Sequence, residues 1–199
     1  MCFHQKIDKK PEQIEKKFNA QFKFFQDYKP QKTINGFDFP STPVIKNTDK
    51  FTIEMLQWGL IPNWATADWN RAFTLNARVE TLSEKPAFRN ITQNRCLVIT
   101  NGFYEWQHNG KIKTKYEIGF EDELFAFAGI YDEFEGKESY SIVTTEAEGI
   151  MREIHNTKLR MPIALKTEED MESWLTGESA KIRSDFSAIN LDPIQLNLF

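Results

Sequence analysis

From Arg95 to Thr145 the sequence is a succession of short strand-like runs separated by turn residues, and that pattern leaves few folds open. "RCLVIT", "YEWQ", "KIKTKYEIGF", "ELFAFAGIYDEF" and "ESYSIVTT" follow one another, and "HNGK" supplies the Asn-Gly signal of a tight hairpin. "FTIEMLQWG" adds an earlier strand. Helical spacing is confined to the margins. Ile14, Phe18 and Phe22 predict a helix over "PEQIEKKFNAQF", opened by Pro11. "TEAE" reads as a capping box that starts a helix at Thr145, with Glu148 reaching back. A third helix starts after Thr167, runs through "EEDMESWL" and stops at Gly177. Strands that are mostly antiparallel with helices at the periphery make the fold class α+β.

Seventeen Phe and five Trp predict a packed interior, and no Pro/Gly/Ser linker or repeat divides residues 1–199, so a single domain is expected. Two cysteines cannot build a disulfide framework, and no signal-like or membrane-spanning apolar stretch is present, so the expected location is a reducing cytoplasm. A formal net charge of −4 disfavours nucleic acid as a partner unless a local basic cleft supplies the contacts. The scattered His and Cys lack metal-ligand spacing, and there is no phosphate-cradling Gly-rich loop, so neither metal nor cofactor is expected. Cys96 reads as a small buried apolar residue.

Several stretches carry reactive groups. Cys2 becomes the first residue when Met1 is trimmed, which leaves an α-amine and a thiol on adjacent carbons. Glu105 sits between Tyr104 and Trp106, and strand alternation turns it away from both. His155 falls at the end of the helix expected from Thr145, and Asn76 and Arg78 lie in the polar "TLNARVET". Taken singly, each has an ordinary reading: a frayed terminus, a solvent-facing glutamate, a histidine complementing a helix dipole, a surface turn.

Together these stretches resemble the SRAP family (SOS response-associated peptidase domain), collinearly over roughly residues 1–165. The resemblance rests on "MC", "WGLIPNWA", "NARVETLSEKPAF", "RCLVITNGFYEW", "FAFAGIYD" and "HNTKLRMPIAL". It implies a mostly antiparallel, barrel-like β core with flanking helices that binds single-stranded DNA. It also implies covalent capture of abasic sites through the N-terminal cysteine, in the DNA damage and SOS responses. On that basis Cys2 is the attacking residue, Asn76 a positioning amide, Glu105 the carboxylate and His155 the histidine of the site. Pro40, Arg78, Trp106 and Arg160 match positions lining the DNA groove. The family begins "MCGR", whereas Phe3 and His4 follow Cys2 here, so the phosphate contact implied for that arginine is removed and His4 substitutes for it only in part. Four residues separate His155 from Arg160 where many members have one.

The chemistry suits an exposed aminothiol. An α-amine titrates near about 8, so part of it is neutral at pH 7 and can attack the aldehyde of a ring-opened abasic sugar. The adjacent thiol then closes a thiazolidine intramolecularly, with lyase-type Schiff-base chemistry before it. His155 is expected to assist ring opening as the group nearest neutrality, and Glu105 to move protons at the amine. Two alternatives stand beside this: a thiol (auto)peptidase using Cys2, His155 and Glu105, and a non-covalent single-stranded DNA-binding module. Residues 186–199 read as a docking tail, in which Gln195, Leu196, Leu198 and Phe199 of "QLNLF" resemble a sliding-clamp-binding peptide. The first reading requires that protein purified from cells begin at Cys2. Intact-mass spectrometry should find the chain lighter by one methionine, and retention of Met1 would remove the amine on which the chemistry depends.

Overall fold

The structure is a computed structural model that describes residues 2–66, 68–179 and 181–192. The proposed clamp-binding residues Gln195, Leu196, Leu198 and Phe199 lie outside the described residues. The chain begins with β1 (His4–Ile7), α1 (Pro11–Phe18), β2 (Gln21–Phe22), β3 (Gln31–Asn35), β4 (Ser41–Lys46) and β5 (Asp49–Trp58). Next come β6 (Asn76–Arg78), β7 (Arg95–Thr100), β8 (Gly102–Asn109), β9 (Ile112–Gly119), β10 (Phe125–Phe134) and β11 (Lys137–Glu146). α2 (Ile150–Ile154), β12 (Arg160–Pro162), β13 (Ala164–Leu165), α3 (Glu168–Leu175) and β14 (Ser187–Asn190) complete it.

Among the described residues the strands form two sheets. One has the order β14-β9-β8-β1-β3, and the other β12-β11-β10-β7-β4-β5-β2, with β13 on β10 and β6 on β11. Pairing is antiparallel except where β6 and β5 meet β11 and where β2 meets β5. The expected barrel-like core is therefore corrected to two separate sheets that are not closed into a barrel. β11 and β5 touch over two residue pairs, Ser139↔Gln57 and Tyr140↔Trp58, but β12 and β2 continue beyond them to open edges. Alternation specifies which face of a strand is buried and says nothing of which edges meet, so closure could not be read from it.

The sheets pack face to face through aromatic side chains. Phe103 of β8 meets Phe127 of β10 with centroids 5.6 Å apart and rings near perpendicular. Phe186 packs on Phe103 from the far side at 5.6 Å. Edge-to-face pairs of this kind add about 0.5–1.5 kcal/mol to the burial itself. At the other end Trp58 is fully buried, stacks on Tyr140, and donates Nε1–H to the Leu75 carbonyl at 2.8 Å. That bond fixes the backbone immediately before Asn76. The Tyr140 hydroxyl in turn accepts from Gln5 Nε2 at 3.3 Å and shares a hydrogen bond with Thr42, tying β1 to the larger sheet.

Local signals behave unevenly. The Asn-Gly hairpin forms, with Asn109 opposite Ile112 and Gly110 at φ 63°, the left-handed region that glycine enters freely. α3 starts after Thr167 as expected, and a cap holds it there: Thr167 Oγ1 accepts from the Asp170 amide at 3.1 Å, and the Thr167 amide donates to the Asp170 carboxylate at 3.1 Å. α1 stops at Phe18 because Asn19 turns left-handed, so Phe22 belongs to β2. The helix expected from Thr145 begins later. Thr145 pairs with Met161 as part of β11, and α2 starts only after Gly149, whose φ of 52° and ψ of −138° suit glycine alone. No helix among the described residues is long and apolar enough to cross a membrane.

Gly129, inside β10, has no room for a side chain: an added Cβ would sit 2.7 Å from Cys96 Sγ and 2.9 Å from Val98 Cγ2. Gly129→Ala should therefore lower unfolding free energy by about 1–3 kcal/mol through overpacking. Urea denaturation checks this, and an unchanged midpoint would mean that β10 and β7 are less tightly packed at this point than described.

Candidate active site

The site is assembled at the free edge of β8. β1 lies between β3 and β8, with His4 opposite Tyr104 and Gln5 opposite Phe103, but it ends before the outer half of β8. That half is met instead by the segment after α2. Asn156 accepts from the His108 amide at 3.1 Å and donates to the His108 carbonyl at 2.9 Å, so its side-chain amide occupies the place of a neighbouring strand. Gln107 Nε2 donates to the Glu153 carbonyl at 3.1 Å. These bonds hold His155 beside Glu105, with Nε2 3.8 Å from Oε2. The longer segment between His155 and Arg160 is what carries this docking.

The His155 ring is oriented by the main chain. The Arg160 amide donates to Nδ1 at 3.1 Å, so in the neutral ring the proton sits on Nε2, the atom facing Glu105. Burial lowers the His155 pKa to about 4, with the positive charge of the chain's amino terminus acting in the same direction. Burial raises Glu105 to about 7, and the same positive charge pulls it partly back. The sequence reading expected the imidazole to be the group nearest neutrality. In the structure the carboxyl holds that position, because both groups are buried and burial moves a base down and an acid up.

Cys2 comes to the same place. Asn76, paired through β6 to Ile142 of β11, donates Nδ2–H to the Cys2 carbonyl at 2.8 Å. Asn76 Oδ1 is buried without a hydrogen-bond partner among the described residues. The thiol is fully buried rather than exposed as the sequence suggests, and directs S–H toward the His4 carbonyl at 3.7 Å. Burial first, and then the negative charge of Glu105, push its pKa up, so it is held as a thiol.

A cleft of ≈ 290 Å³ opens over Glu105 and His155, lined also by His4, Trp106, His108, Lys113 and Thr157. All three histidines of the chain therefore face one cleft. His4 meets the Trp106 ring edge-on at 4.9 Å. The other expected groove residues are distributed differently. Arg78 is exposed on β6, and Pro40 is partly exposed just before β4. Arg160 is buried and engaged, with its guanidinium bidentate to Glu80 at 2.8 Å and a further bond to the Thr144 carbonyl. His108, Lys113 and Thr157 were not singled out from sequence. The hairpin closes over Gly110 and Lys111, which sets His108 opposite Lys113 and Trp106 opposite Lys115; an Asn-Gly loop of two residues would have paired His108 with Lys111 instead, so this register was not legible from the Asn-Gly signal. Among the described residues no cluster of His, Cys, Asp and Glu could hold a metal ion.

A family model described as SOS response associated peptidase (SRAP) matches residues 1–196. The chain belongs to this family. Among its relatives, the abasic site processing protein YoqW of Bacillus subtilis is 39% identical over 140 residues, covering 66% of this chain and 61% of that protein. The abasic site processing protein YMR114C of Saccharomyces cerevisiae is 34% identical, covering 75% of this chain and 43% of its own length. The chain thus spans less than two thirds of the length of these relatives. A crystal structure of a protein from Bacteroides thetaiotaomicron superposes with a TM-score of 0.86 at 33% identity, covering 96% of this chain and 93% of that one.

The Glu105 shift has a measurable consequence. An ordinary glutamate releases its proton near 4.5, whereas Glu105 in the fold keeps it to about 7. Raising pH through that window removes a proton that the unfolded chain has already lost, so this group makes stability fall as pH rises. His155 acts in the opposite sense, losing stability as pH falls from 6.5 toward 4. Glu105→Gln removes only the first effect. Relative to the variant, the wild type should lose on the order of 2 kcal/mol between pH 4.5 and 8. Denaturant unfolding of both proteins across that range measures it, and parallel curves would contradict the assignment.

Proposed function

We propose that this SRAP protein acts on abasic sites in DNA, and that after loss of Met1 it captures them covalently through Cys2 in single-stranded DNA. The observation that carries the reading is the convergence of four residues distant in sequence: Glu105 and His155 line one cleft with the carboxyl poised near neutrality, Cys2 is buried near enough to feel the Glu105 charge, and Asn76 holds the Cys2 carbonyl. The names of the relatives supply the substrate class.

The proposed sequence of events balances without a cofactor. Loss of Met1 moves the amine onto Cys2 itself. The neutral amine adds to the aldehyde carbon of the ring-opened sugar and gives a carbinolamine. Glu105, protonated in part at pH 7, delivers a proton to the departing hydroxyl, which leaves as water and gives the protonated imine, with Glu105 left as the carboxylate. The Cys2 thiol then adds its sulfur to the imine carbon while its proton passes to the Glu105 carboxylate, closing the five-membered ring and restoring the acid. His155 presents Nε2–H to the opening sugar oxygen or to Glu105, and the Asn76 amide holds the Cys2 carbonyl so that the amine and thiol stay in register. A thiol peptidase would need Cys2 lowered toward a thiolate, and both burial and Glu105 move it the other way. That favours a thiol attacking an already activated imine.

Incubation with a single-stranded oligonucleotide containing an abasic site should give a heat-stable adduct on a denaturing gel, its mass one water below the sum of the two partners. Cys2→Ala should abolish it. Glu105→Gln should slow its formation about 10²–10⁴-fold, the usual weight of a positioned acid-base group. An undiminished stable adduct with Cys2→Ala, or none with the wild type, would overturn the reading.

A further inference from the structure

Strand β9 of the β8–β9 hairpin carries two cations that the chemistry above does not use. Lys115 lies opposite Trp106, and Lys113 opposite His108, in directly paired positions, so alternation puts all four side chains on one face of the hairpin. Lys115 is only partly exposed, yet its ammonium rests on aromatic faces, 4.3 Å from the Tyr104 ring centre and 5.6 Å from that of Trp106. Other sheltered lysines of this protein behave differently: Lys6 contacts Glu117 and Asp122, and Lys46 contacts Glu54 and Glu138. Among the described residues neither Lys113 nor Lys115 has a carboxylate at ion-pair distance. Glu117, two residues from Lys115, is taken by Lys6 at 2.7 Å, and Asp192 accepts from the Lys115 main-chain amide rather than its ammonium.

A sheltered ammonium without a counter-charge is costly to maintain unless an anion completes it. His4, beside it, cannot share the task as a cation at pH 7, because burial and the Lys115 charge both lower its pKa. Lys113 lines the cleft and Lys115 places its charge beside His4 at the cleft's edge, two fixed positive charges in a chain whose net charge is −4. Between them and the cleft floor, Trp106 offers a partly exposed ring on which a base can stack.

We propose that Lys113 and Lys115 form a phosphate-binding rail on the β8–β9 hairpin that holds the backbone of the DNA strand entering the cleft, with Trp106 as the stacking surface beside it. This rests on the function proposed above and names the residues that bring the strand to it.

The probe is a fluorescent single-stranded oligonucleotide bearing a tetrahydrofuran abasic analogue, which has no aldehyde and so reports binding alone. Lys113→Gln/Lys115→Gln should bind it on the order of tenfold more weakly at 50 mM salt, and the slope of log affinity against log salt should become shallower by about 1.4, the loss of two single-strand phosphate contacts. Lys113→Arg/Lys115→Arg should keep both charges and the wild-type slope. Lys23→Gln/Lys50→Gln, whose ammonium groups pair with Glu54 and Glu172, is the charge-matched control and should leave the slope unchanged. At saturating natural abasic oligonucleotide the double Gln variant should still reach the wild-type adduct yield. A wild-type slope in that variant, with crosslinking intact, overturns the rail alone. A shallower slope in a protein that forms no adduct would leave the rail standing and remove the covalent chemistry, and a wild type that does not bind the probe would remove both.

Discussion

The site depends first on where the chain begins. A leading segment is ordinarily the most frayed part of a domain, but here β1 is an interior strand, hydrogen-bonded to β3 on one side and β8 on the other. Its register with β8 brings Cys2 up to Glu105, and the Tyr140 hydroxyl anchors Gln5 from the opposite sheet. A covalent reaction at a chain terminus needs this ordering, since effective molarity is lost when the nucleophile wanders. The same ordering buries the thiol, and burial holds the cysteine in its protonated form.

The second constraint is the low-polarity setting shared by Glu105 and His155. Two groups that would form an ion pair in water instead have their ordinary order of acidity inverted, with the carboxyl near 7 and the imidazole near 4. Around neutrality the pair then consists of a proton-exchanging acid and a neutral hydrogen-bond donor. This division of labour suits a reaction that must both expel water and accept a proton within one cleft. It is also a liability to the fold, since a buried carboxyl group favours the unfolded chain once it ionises.

How much of this could be read beforehand varied with the range of the interaction responsible. The β8–β9 hairpin and the start of α3 after Thr167 are set by a few adjacent residues, and both formed where expected, although the hairpin loop is Gly110-Lys111. The Thr145 cap was a local signal overridden by distant pairing: Thr145 is held in β11 by Met161, and the helix waited for Gly149. The meeting of Glu105 with His155 was suggested by family resemblance and never by spacing, because it depends on an asparagine docking across a strand edge. The separation into two sheets was illegible for a similar reason, since alternation describes faces and not edges. Arg160 illustrates the limit of carrying a motif across: its position is in the site, while its guanidinium is committed to Glu80.

The bond from the Arg160 amide to His155 has a further bearing on how such a site tolerates change. The imidazole tautomer is dictated by a peptide N–H, which every amino acid except proline supplies. The ring orientation therefore does not depend on the Arg160 side chain, whose own buried bonds to Glu80 and Thr144 serve the packing around it. Catalytic geometry and local side-chain identity are uncoupled at this one residue, and only an imino acid would couple them again.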